Sequence, residues 1–252
     1  MQKLTSALIR IGAVAAAIVL WWLGTDVLSA DNPIFGAMSP IDAAQSLVLL
    51  FESGIAFETI AVSLTRLLTG LAIAIFIGVL LGLAIGSRKR IDEATSVIVQ
   101  FLRMVSPLAW TPIAIMLFGI GSPPVVFLIA IAAVWPVTMN TVAGVRALDP
   151  NWSLLAKSLG ATPLEILRSI VVPGIRPQVL TGIRLALGVA WIVIVPAEML
   201  GVDSGLGYQI LIARDNFDYA LLAAIMFLIG LIGYALDWLT QWAFKHWVAA
   251  TA

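Results

Sequence analysis

A chain of 252 residues that is 61% hydrophobic and only 11% charged has too few polar side chains to cover a water-soluble surface, and its mean hydropathy of +1.06 agrees. A formal net charge of zero supplies no basic field for nucleic acid. Without cysteine there is no disulfide, thiolate nucleophile or Cys-ligated metal, and one histidine, His246, leaves no cluster for a His-based centre.

The expectation is an all-α membrane protein of about six transmembrane helices. A helix needs about 20 residues to cross the roughly 30 Å hydrocarbon layer, with its backbone polar groups satisfied internally. The first such stretch is Ile11 to about Leu28 (about 9–28), behind Lys3 and Arg10. A secretory signal peptide is the rival reading. Val27-Leu28-Ser29-Ala30 is a poor cleavage site and the rest of the chain is itself membranous, so a retained span is expected.

Residues 39–60 predict an amphipathic helix outside the hydrocarbon on the outer face. Ser39 is its N-cap, Pro40 suits N1, and Asp42 meets the free amides of the first turn. Leu47, Leu50 and Phe51 form its apolar stripe, and Gly54 is a stop signal. It packs on the bundle surface or contacts a partner protein.

The second span, about 63–86, includes Leu67 to Gly86, which is free of charge and ends at Ser87-Arg88-Lys89-Arg90. Gly70, Gly78, Gly82 and Gly86 recur on one face and permit close helix approach, to another helix of the chain or to a second copy. Met104 to Val145 is again uncharged. Gly119-Ile120-Gly121-Ser122-Pro123-Pro124 divides it into spans of about 104–118 and 123–145. Spans of about 178–199 and 219–244 follow, interrupted by Arg184 and Pro196 and by Asp237.

Basic residues mark the cytoplasmic side. With both termini inside, only Arg66 and Arg214 of the 14 basic residues fall elsewhere, and Asp31, Asp42, Glu52, Glu58, Asp203, Asp215 and Asp218 occupy outer loops. The cytoplasmic loop at 149–173 reads as two short capped helices. Asp149 and Pro150 open the first and Gly160 ends it. Thr162-Pro163-Leu164-Glu165 has capping-box spacing, and Pro173 closes the second. Leu155, Leu159, Ile166 and Leu167 lie there among Lys157 and Arg168, as a docking element or as an amphipathic pair on the membrane surface. A helix-turn-helix pinned between two spans could hardly follow a DNA groove.

Gly160 followed by Ile170-Val171-Val172-Pro173 resembles the "EAA" loop of inner-membrane permease subunits of binding-protein-dependent ABC importers. Val172 replaces the usual Leu, and Leu154-Leu155-Ala156 stands where Glu-Ala-Ala is expected. The resemblance covers nearly the whole chain and is nearest the nitrate/sulfonate/taurine branch. It includes Pro107-Leu108-Ala109-Trp110-Thr111-Pro112, Phe118-Gly119-Ile120-Gly121, Ala197-Glu198-Met199-Leu200-Gly201 and Gly205-Leu206-Gly207-Tyr208. Trp135-Pro136 with Asn140-Thr141 leans toward the nitrate, nitrite, cyanate and bicarbonate members.

That resemblance implies a type I importer architecture in the bacterial inner membrane. It implies a second permease copy (a homodimer), cytoplasmic ABC ATPase subunits, an extracytoplasmic solute-binding protein, and ATP and Mg on the partner ATPase alone. This chain then binds no cofactor, and it contains no G-x-x-x-x-G-K-[ST] phosphate loop. Ala156, Gly160, Ala161, Thr162, Glu165, Ile170 and Pro173 would couple it to the ATPase. A taurine or alkanesulfonate permease is the alternative cargo reading. A self-sufficient secondary transporter is the alternative of another class, and it fits poorly with charges clustered at span ends. A hydrolytic enzyme lacks its paired carboxylates, His cluster or Ser–His pair.

Candidate pore or gate residues are Ser106, Pro107, Trp110, Pro136, Asn140, Thr141 and Glu198. Neutral donors beside helix-breaking prolines suit a small oxyanion that must also be released. The bland reading of each is packing between helices. Glu198 reads as a helix-end anchor, or as a gate or docking contact. Arg66 reads as a snorkelling side chain at the outer face or as an attractor for an anion there, and Arg184 and Asp237 as a pair or two independent interface residues.

Overall fold

The computed structural model describes residues 2–28 and 33–251, and its regular elements are helices. Helix α1 (Gln2–Trp22) runs into a π turn at Leu23–Val27, and α2 is a single turn, Pro33–Gly36. In α3 (Pro40–Glu52) the Ser39 hydroxyl accepts the Asp42 amide at 3.1 Å and donates to the Asp42 carboxylate at 3.0 Å. The expected helix over 39–60 stops at Glu52. Gly54 adopts φ 78°, a left-handed conformation that breaks the helix, and residues 55–60 open the next one, α4 (Ile55–Ser87).

Helix α5 (Lys89–Met104) meets the following segment at 90°. A straight span over 104–118 is therefore replaced by a break at Val105 and Ser106, a 3₁₀ turn at Pro107–Trp110 and a short α6 (Thr111–Phe118). Ser106 precedes a proline, which pushes its backbone out of the helical region, and it sits at ψ 130°. Eight residues of α6 rise only about 12 Å. Helix α7 (Ser122–Ala147) passes through Pro136 unbroken.

After α8 (Pro150–Ser158) and α9 (Pro163–Ile166), a π turn at Leu167–Val171 leads into α10 (Val172–Glu198). Pro173 does not end the loop helix; residues Pro163–Glu198 form one 36-residue helix. In the π turn the Val172 amide reaches back to the Leu167 carbonyl. Pro173, which has no amide hydrogen, follows where the i−4 pattern is already interrupted. Helices α11 (Leu206–Asp215) and α12 (Tyr219–Thr251) complete the chain.

Among the described residues four helices are long and apolar enough to cross a membrane: Ile55–Ser87, Ser122–Ala147, Pro163–Glu198 and Tyr219–Phe244. The bent pair Lys89–Met104 and Pro107–Phe118 adds a fifth, and Gly12–Val27 is a shorter apolar helix.

The chain divides into two compact units, Met1–Val62 with Ser204–Ile232, and Ser63–Asp203 with Gly233–Ala252. The first has a small core of Ala43, Ala223 and Ala224 covered by Trp21, Met38 and Leu47. The Trp21 indole donates to the Met38 carbonyl at 3.0 Å.

The second unit holds the main core, centred on Leu67, Leu128, Ile129, Val137 and Ile194. Here α4 and α7 run parallel. Gly70, Gly78, Gly82 and Gly86 face Ile129, Val137, Thr141 and Val145 in the same order. The approach is so close that a Cβ at Gly78 would lie 2.8 Å from the Val137 Cβ, and one at Gly70 would lie 2.6 Å from the Ile129 Cγ2. The glycine face seen in the sequence is thus filled within the same chain. Helix α10 lies antiparallel on α7: Gly182 receives Asn140, Gly144 receives Gln178 and Ile175, and Gly174 receives Leu148. Small residues replace hydrophobic drive as the basis of association between apolar helices.

Candidate functional site

A buried polar cluster fastens α4, α7 and α10 together. Ser63 and Arg66 are three residues apart and so share a face of α4. Glu198 is the last residue of α10 and is 0% exposed, with Arg66 at 4%. The Ser63 hydroxyl lies 2.9 Å from each Glu198 carboxylate oxygen, and Arg66 donates to Glu198 Oε1 at 2.9 Å. The Arg66 Nε donates to the Ser122 hydroxyl at 2.9 Å, at the first residue of α7. Arg66 therefore turns into the bundle rather than out to the headgroups. Each charge alone would be costly to bury, whereas paired and multiply hydrogen-bonded they form a specific link. The sequence signal was available: one base and one acid stand at the ends of otherwise apolar segments.

The candidate pore residues do not all meet. Pro107, Trp110 and Pro136 line one cavity of about 360 Å³ with Leu102, Arg103 and Trp135. Ser106 is exposed just before the 3₁₀ turn. Asn140 donates to the Pro136 carbonyl at 2.8 Å, and Thr141, fully buried, donates to the Val137 carbonyl at 2.8 Å. Their polar groups serve their own helix, and neither lines this cavity. Glu198 belongs to the buried cluster instead. A second cavity of about 250 Å³ shares Arg103 and Met139 with the first, and its wall includes Asp92, Thr95 and Arg146. Arg146 is bonded to Asp92 at 2.6 Å. In the sequence Arg103 is only one of the basic residues that mark the cytoplasmic side, and no local signal places it in both walls.

The loop between α7 and α10 is locally over-determined. Asp149 accepts the Asn151 amide at 2.9 Å and caps α8. Gly160 takes φ 84°, which lets the Ala161 amide close onto the Ala156 carbonyl at 3.0 Å. Thr162 and Glu165 complete a reciprocal capping box: the Thr162 amide donates to Glu165 Oε2 at 2.7 Å, and the Glu165 amide donates to Thr162 Oγ1 at 3.3 Å. The Thr162 amide, and then its hydroxyl, hold the Glu165 carboxyl below its ordinary value. This residue lies in the loop, outside the expected span at 178–199.

Ile166 is buried, but Trp152, Leu154, Leu155, Leu159 and Leu164 are each more than half exposed. Ile170 and Pro173 line a cavity of about 450 Å³ beside Trp152 and Leu148. So rigid a loop with so apolar a face has the character of an interaction surface. Elsewhere, Arg184 and Asp237 do pair, at 3.1 Å, both about half exposed.

The fold is that of a type I ABC importer permease. The MetNI methionine ABC transporter in inward-facing conformations superposes with a TM-score of 0.59 at 18% identity, over 74% of this chain and 93% of that one. Residues 74–248 match the binding-protein-dependent transport system inner membrane components, and the chain belongs to that family. It is 31% identical to the bicarbonate transport system permease protein CmpB of Synechococcus elongatus, over 97% of this chain and 92% of CmpB. It is also 36% identical to the nitrate import permease protein NrtB of the same organism, over 73% of this chain and 67% of NrtB. It is thus a multi-pass inner-membrane component of a transport system.

Proposed function

We propose that this chain forms the pore of an ATP-driven importer for a small inorganic anion: nitrate, nitrite, cyanate or bicarbonate. The likeness to CmpB and NrtB over most of the chain carries the cargo reading. The capped loop at 149–173, with its solvent-exposed apolar side chains, carries the coupling reading.

In this reading two copies enclose the path, a cytoplasmic ATPase seats Ala156, Gly160, Ala161, Thr162, Glu165, Ile170 and Pro173, and an outer binding protein delivers the anion. Both termini face the cytoplasm. The spans are the membrane-crossing parts of the helices described above, about 178–199 within Pro163–Glu198, with α3 outside the hydrocarbon. Because α9 and α10 are one continuous helix from Pro163 to Glu198, a push on the loop moves as a rigid body toward the Glu198 cluster. Pro107, Trp110 and Pro136 border the path, with Ser106 at its rim. Asn140 and Thr141 keep the shape of α7 beside it, and Glu198 holds the helix ends around it.

The test is purification from native membranes followed by uptake in proteoliposomes with the co-purifying ATPase and binding protein. Import of nitrate, nitrite, cyanate or bicarbonate upholds the reading. Import of taurine alone replaces its cargo. Transport that persists without any ATPase sinks it.

A further inference from the structure

Two cavities share Arg103 and Met139 as wall residues, and one of the two holds the candidate path residues Pro107, Trp110 and Pro136. Arg103 lies in the last turn of α5, and among the described residues its guanidinium makes no hydrogen bond or ion pair. The other cation in these walls, Arg146, is bonded to Asp92. The remaining wall of the larger cavity is apolar or aromatic, including Leu102, Trp110 and Trp135. A single uncompensated cation in such a wall favours an anion and disfavours a cation. Being single, it does not provide the several donors that would trap the ion.

We propose that Arg103 is the residue that draws a small oxyanion through the junction of these two cavities and sets the charge selectivity of the path. The inference rests on the anion-import reading above for its cargo and on the cavity walls for its site. It assigns to one residue the discrimination that the neutral prolines and tryptophans cannot make.

The absence of cysteine from the chain allows a direct test. Met139→Cys places one thiol in the shared wall of the full-length protein, in membranes opened to both sides. Its reaction rates with an anionic sulfonatoethyl and a cationic trimethylammonioethyl methanethiosulfonate give a charge-dependent ratio. Adding Arg103→Gln should lower the anionic-to-cationic ratio roughly tenfold, and Arg103→Lys should restore most of it. A ratio that stays within twofold, or a thiol inert to both reagents, overturns the proposal. In reconstituted uptake Arg103→Gln should also slow import of the anion carried by the wild type at least fivefold. A reagent ratio that falls as expected, in an assembly that imports taurine but not nitrate, nitrite, cyanate or bicarbonate, upholds Arg103 and removes only the cargo reading.

Discussion

Arg66 and Glu198 stand 132 residues apart in the chain, yet their side chains meet at 2.9 Å with almost no surface left to solvent. Ser63 bonds the same carboxylate, and Ser122 takes the second guanidinium nitrogen. Removing one member takes this ion pair away from the other, buried charge. Arg66→Ala or Glu198→Ala should each cost about 3–5 kcal/mol, read as a fall in thermal stability in detergent. Arg66→Ala combined with Glu198→Ala should cost much less than the sum of the singles. Additive losses in that double-mutant cycle would show that the two residues act independently.

The parallel seam of α4 on α7 makes a steric prediction. Gly78→Val inserts methyl groups where a Cβ alone would already come 2.8 Å from the Val137 Cβ, so the helices must separate. Folded yield should drop severalfold, from overpacking of the order of 1–3 kcal/mol. Gly188→Ala, on a face with no atom within 4 Å, should leave the yield unchanged. Equal yields for the two variants would contradict the seam.

The exposed leucines of the loop should be needed for partner capture and not for folding. Leu155→Asp with Leu159→Asp should abolish recovery of the ATPase while leaving the thermal midpoint of the permease within about 2 °C, since exposed substitutions fall within roughly 0.5 kcal/mol. Undiminished ATPase recovery would move the coupling surface elsewhere. Gly160→Val should also fail in recovery, because φ 84° is strained for a β-branched residue.

Glu165 gives a pH prediction with a definite sign. Its carboxyl is held low by the Thr162 amide and hydroxyl. The capping box therefore adds stability above the ordinary glutamate range and loses it as pH falls through the lowered folded value. A carbon-13 titration of the carboxyl should show a midpoint below that of an unstructured glutamate, and Thr162→Val should raise it toward that reference. A midpoint at or above the reference would mean that the box is open in solution.

Much was legible from sequence because it depends on short-range chemistry. The Ser39 and Asp149 caps, the Thr162–Glu165 box and the stop at Gly160 each involve residues within a few positions of one another, where side-chain reach and backbone geometry leave few options. The apolar segments themselves follow from the thickness of the hydrocarbon layer. Three local signals misled. Gly54 reads as a stop, yet the pattern of 39–60 also reads as one outer helix. The Ser106-Pro107 pair breaks a segment whose apolar composition reads as continuous. Pro173 reads as a terminator, yet the preceding π turn absorbs its missing amide.

The amino-acid sequence alone determined that this protein is helical, membrane-embedded and capped in its 149–173 loop, because composition, periodicity and capping act within a turn or a span. Only the tertiary structure decided that Arg66 turns inward to Glu198, that the glycines of α4 meet α7 and not a second copy, and that Arg103 lines two cavities. Those facts depend on helix rotation and register. In an apolar bundle these are set by small-residue contacts between segments far apart in the chain, and a one-dimensional pattern of hydrophobicity carries no trace of them.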